Sequence, residues 1–76
     1  MNKMLFVTFD SCAGVYSFFG EFVNDAVAAR HFNSLVKDTP VPSDFSLYRC
    51  GSYSTETGVI DAEHDVVFIC RGEKEM

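Results

Sequence analysis

Residues 42–60, PSDFSLYRCGSYSTETGVI, constrain this chain more than any other stretch. They read as a strand, a tight polar turn and a returning strand. Period-two alternation sends Phe45, Leu47 and Tyr53 to one face and Tyr48 and Cys50 to the other. A sheet that is apolar on both faces needs two covers. The rest of the chain supplies one helix.

That helix is the clearest element. Asn24 is a good N-cap, Asp25 stands in the first turn where the helix dipole favours negative charge, and Lys37 stands in the last. Ala28, Phe32, Leu35 and Val36 form one apolar stripe. Arg30, Asn33, Ser34 and Lys37 repeat the spacing on the side expected to face water. Pro40 disfavours helix at Thr39, so the element is expected to end near Asp38. Upstream, residues 3–10 (KMLFVTFD) read as a strand, residues 10–14 as a turn led by Asp10 and Ser11, and residues 15–19 as the second arm of a hairpin. Gly20 and Glu21 are expected to release the chain from the sheet.

Downstream, residues 45–54 form the third strand. Residues 54–58 form the turn, with Gly58 as its left-handed residue. The return strand is expected to break or bend around residues 61–65 and resume at residues 66–70, where consecutive apolar residues suggest burial on both faces. Residues 71–76 read as a frayed tail within a single domain, 1–76. The expected fold is α+β: a small ββαββ domain with one helix packed on an antiparallel sheet. A helix of about 14 residues is roughly 20 Å long and covers one face of such a sheet, not two. The uncovered face must meet a second copy, another protein or a ligand, or remain an exposed apolar patch.

At 76 residues the chain is near the lower limit for a self-sufficient core, and a homodimer would supply the missing burial. Eight phenylalanines and 47% hydrophobic residues rule out a disordered tail. No stretch reads as a membrane span, and the first ten residues do not read as a secretory signal. Cys12, Cys50 and Cys70 are an odd count without paired spacing, so they read as reduced thiols and not as metal ligands. With eleven acidic residues against six dispersed Lys and Arg, the net charge of −5 argues against a nonspecific nucleic-acid coat.

Read in order, Asp10 and Ser11, Asn24 and Asp25, Arg30 and Phe32, Asp38, then Pro42, Asp44, Phe45, Leu47, Tyr48, Gly51, Tyr53, Thr57 and Gly58 form a pattern. It resembles that of the small non-structural proteins of gokushovirus-type microviruses, the family named for the fifth open reading frame of these phages. The likeness runs from about Phe6 to Asp61, and residues 66–70 form a stronger strand than is usual there. The resemblance implies a protein made in the host bacterial cytoplasm and absent from the virion. It further implies an accessory role in replication or packaging of single-stranded viral DNA, with no catalytic motif.

Tyr48, Tyr53, Arg49 and Arg30 are the candidate nucleic-acid-binding residues, with Tyr16 beside them. Aromatics on an open sheet can stack on unpaired bases while Arg adds charge. The same aromatics serve equally as cross-strand packing or as a homodimer core. Arg30 also reads as an ordinary solvated cation, within the reach of an acidic loop residue such as Asp44. His31, His64 and Cys12 show no nucleophile–base arrangement, so no catalytic residue, metal or cofactor is expected. The partners expected are a second copy of the chain, single-stranded DNA, or a viral or host replication protein acting through an adaptor surface. A membrane is not among them.

Overall fold

A computed structural model describes residues 2–73. The elements are β1 (Asn2–Asp10), β2 (Val15–Phe22), α1 (Asp25–Val36), β3 (Phe45–Ser54) and β4 (Ile60–Arg71), with one 3-10 turn at Pro42–Asp44 before β3. All neighbouring strands are antiparallel, in the order β2-β1-β3-β4. The α+β architecture is the expected one. Among the described residues no helix is long and apolar enough to cross a membrane.

Local chemistry explains the joints. Asp10 Oδ1 accepts hydrogen bonds from the amides of Cys12 and Ala13 at 2.9 and 3.3 Å, which closes the first hairpin. Asn24 caps α1 by accepting from the Val27 amide at 2.9 Å. The helix stops at Val36, slightly short of Asp38. The amide and hydroxyl of Thr39 both donate to the Val36 carbonyl, at 3.0 and 2.6 Å, and so satisfy a helix-end acceptor. Gly58, at φ 75°, occupies the left-handed position of the β3–β4 turn.

Three irregularities depart from the expected strands. β2 does not end at Phe19: Phe6 pairs with Gly20 and Val7 with Phe18, so Phe19 is bulged out and the strand continues to Phe22. Gly20, at φ 153°, supplies a backbone geometry that side chains resist. In β3, Leu5 faces Gly51 while Phe6 faces Arg49, so Cys50 is the extra residue. That bulge reverses the alternation, and Tyr53 pairs with Lys3 on the same face as Tyr48. The expectation that Tyr53 sides with Phe45 and Leu47 is therefore corrected. In β4, Arg49 faces Val67 and Gly51 faces Ala62, so residues 63–66 loop out opposite Cys50. This is the break expected near residues 61–65.

The core lies between α1 and one sheet face. Phe6, Ala28, Phe32 and Leu47 are fully buried and Val36 nearly so, with Met4, Phe19, Phe22, Phe45, Ile69 and Cys70 packed around them. Leu35 is not in the stripe: it is 65% exposed. At 100° per residue the buried face centres on Phe32, with Ala29 about 60° to one side and Leu35 about 60° to the other. The sheet lies toward Ala29.

β4 is an outer strand; residues 66–70 are not buried on both faces, since α1 packs on one face only, and Val66 and Phe68 are exposed. Residues 71 and 72 are better held than a frayed tail. Arg71 pairs with Ser46, and the buried Gly72 donates its amide to the Phe45 carbonyl at 2.8 Å. Residues 74–76 of that expected tail lie outside the described residues.

Candidate functional site: an uncovered aromatic sheet face

Among the described residues, none covers the face turned away from α1. Across it runs a row of rings contributed by all four strands. Phe9 and Tyr16 are 4.7 Å apart between centroids, Tyr16 and Tyr48 are 5.6 Å apart, and Tyr48 and Phe68 are 5.6 Å apart. Interplanar angles of 49–69° make these tilted or edge-to-face contacts. Phe18, 68% exposed, pairs with Val7 on the same face. Strand pairing explains the row, because directly opposed residues share a face: Val7 with Tyr48, and Tyr48 with Phe68.

One end of this face is polar. The Tyr53 hydroxyl donates to the Glu21 carboxylate and holds it below the usual carboxylate range, helped by the Lys3 ammonium at 3.3 Å. The same bond pushes the Tyr53 phenol up, with burial adding to the effect. The signs give two limits. The lowered Glu21 contributes stability present above its unfolded pKa and lost as pH falls through its folded one. The raised Tyr53 contributes stability present below its unfolded pKa and lost as pH rises through its folded one. Tyr53→Phe is expected to move the Glu21 pKa up toward the ordinary range while Lys3 keeps part of the depression. A carboxyl-detected NMR titration reads this directly, and an unmoved Glu21 would contradict it.

The sequence-derived candidates do not gather in one place. Tyr48, Tyr53 and Tyr16 share the uncovered face. Arg49 points to the helix side, where Nη1 meets Asp25 Oδ2 at 2.7 Å and Nε meets Glu63 Oε1 at 3.3 Å. Those carboxylates, Asp25 first, raise its pKa further. Arg49 thus ties the start of α1 to the bulge of β4. Arg30 is exposed on α1, and the ion pairs among the described residues do not join it to Asp44.

Two features escaped the sequence reading. Phe9 and Phe68 complete the ring row, which the alternation of β1 and the exposure of β4 would have signalled. Arg30 and Lys37 of α1 and Arg71 of β4 line one open groove of about 500 Å³, together with Asn33, Ser34, Cys70 and Glu73. Such long-range convergence leaves no mark in the sequence.

Cys12 is exposed, while burial raises the thiol pKa values of Cys50 and Cys70, the latter with help from Glu73. Among the described residues no group of three His, Cys, Asp or Glu side chains is placed to hold a metal ion.

The profile of the Phage ORF5 protein family matches residues 3–74. The chain belongs to that family. The match runs past Asp61 and takes in the whole of β4, so the unusually apolar residues 66–70 lie within the family's span and not beyond it. Family membership makes this a phage protein. No curated protein and no solved structure matches the chain.

Proposed function

We propose that this protein is an accessory, non-structural protein of a gokushovirus-type single-stranded DNA phage. It works in the host bacterial cytoplasm by binding, without catalysis, in replication or packaging of the viral genome. Its working form is a homodimer joined through the uncovered sheet face.

The observation that carries this reading is the ring row of Phe9, Tyr16, Tyr48 and Phe68, flanked by the exposed Phe18. The fully or nearly fully buried apolar core amounts to Phe6, Ala28, Phe32, Val36 and Leu47, little for a domain of this length. A second copy laid on the same face would roughly double the apolar layers without exposing anything new. Because the rings already meet one another at steep angles, they suit a protein contact better than a ladder of stacked bases.

Light scattering tests the reading. The expected mass is twice the chain's 8.5 kDa. Phe18→Lys and Phe68→Lys place charges on the shared face and are expected to return single chains with an unchanged circular dichroism spectrum. A wild-type chain that stays monomeric at high micromolar concentration sinks the dimer. Capture from infected cells of a replication protein, in place of a second copy, would make the face an adaptor surface.

A further inference from the structure

Of the five Lys and Arg residues in the described part of the chain, Lys3 and Arg49 are bound to carboxylates. The remaining three, Arg30, Lys37 and Arg71, are exposed, and none belongs to an ion pair among the described residues. All three line the groove between α1 and the end of β4. In a chain of net charge −5, the described cations outside those ion pairs line one groove. Three cations and one carboxylate, Glu73, leave the groove with a net positive charge.

The chemistry of the lining narrows the ligand. Two guanidinium groups and an ammonium provide charge-assisted donors, and the Asn33 amide and Ser34 hydroxyl add neutral ones. Among the described residues, Glu73 is the one carboxylate in the lining, and none of the lining side chains is an aromatic ring that could serve as a platform for a base or a sugar. Arg30 and Lys37 stand two helical turns apart, about 10 Å along the axis, so the positive charge forms a track and not a point. The negative end of α1 is partly quenched, because Thr39 donates twice to the Val36 carbonyl.

We infer that this groove binds the phosphodiester backbone of single-stranded DNA, independently of base sequence. The choice of nucleic acid rests on the genome-handling reading given above. The site itself does not depend on the dimer. Arg30 and Lys37 lie on α1, on the helix side of the sheet, and Arg71, opposite Ser46 at the end of the outer strand, joins them at the sheet edge, so two copies joined through the ring row would each present α1 outward.

The test is titration of a fluorescent oligothymidylate with the full chain, followed by anisotropy at two salt concentrations. Three phosphate contacts at about 0.7 released counterions each give a log–log salt slope near −2, a weakening of about 20-fold between 50 and 200 mM salt. Arg30→Gln and Arg71→Gln are each expected to weaken binding and to make that slope shallower by about 0.7. Both residues are exposed, so the variants are expected to unfold at the wild-type urea concentration. Lys3→Gln and Tyr48→Ala should bind as the wild type does. Absence of binding at 50 mM salt overturns the groove. So does binding that survives Arg30→Gln and Arg71→Gln but is lost with Tyr48→Ala, which would move the contact to the ring row. Inorganic phosphate serves as a competitor, and groove variants that bind it as tightly as wild type would equally refute the assignment. A protein that dimerises and ignores DNA would defeat this inference alone, whereas a monomer that binds DNA would defeat only the dimer.

Discussion

Phe32→Ala is expected to destabilise the domain by about 3–5 kcal/mol, the usual cost of emptying a buried phenylalanine site. Phe32 is fully buried, meets Phe19 edge-to-face at 6.1 Å, and stands at the centre of the face that α1 turns to the sheet. A chain of this length has roughly 4–11 kcal/mol of stability in total at the ordinary per-residue value. The variant is therefore expected to be largely unfolded in mild urea where the wild type is folded. Leu35→Ala is the control. Although Leu35 is the larger aliphatic neighbour on the same helix, its exposure predicts a change within about 0.5 kcal/mol. Equal losses at the two positions would mean that α1 is rotated from the orientation described.

Gly72→Ala is expected to cost about 1–3 kcal/mol by overpacking. A Cβ there would collide with the Pro42 carbonyl oxygen and stand 2.9 Å from Val36 Cγ2, and neither neighbour is a flexible side-chain tip. The chain end would have to lift from the helix, weakening the bond from the Gly72 amide to the Phe45 carbonyl. Because Arg71 and Glu73 flank this residue and line the groove, the same substitution should disturb that surface. Faster hydrogen exchange at Gly72, together with a lowered urea midpoint, is the expected pair of readings. An unchanged midpoint would show that the terminal crossing is looser than its packing implies.

The contrast between Phe32 and Leu35 shows how far the sequence could be read. Short-range chemistry was legible: Asn24 caps α1, Asp10 closes the first turn, and Gly58 takes the left-handed turn position, because each acts within a few residues. Periodicity found the helix but not its rotation, which depends on where the sheet lies. Alternation likewise failed at Tyr53, since the single extra residue at Cys50 exchanges the faces beyond it. The consecutive apolar residues 66–70 suggested a strand buried on both faces, but they lie in the outermost strand and Val66 and Phe68 are exposed. The uncovered face was foreseen from the shortage of helix. Tyr16 and Tyr48 were read as open-face aromatics, but Phe9 and Phe68 beside them and the cationic groove were not foreseen, because the row unites four strands and the groove unites α1 with β4.

The looped-out residues of β4 also decide how copies of this chain can meet. An outermost strand with free amides and carbonyls is a template on which a neighbour can extend the ladder without end. Here that strand is interrupted at residues 63–66, and the exposed Asp61 and Asp65 place negative charge along its rim. Side-by-side growth into filaments through this edge is thereby penalised.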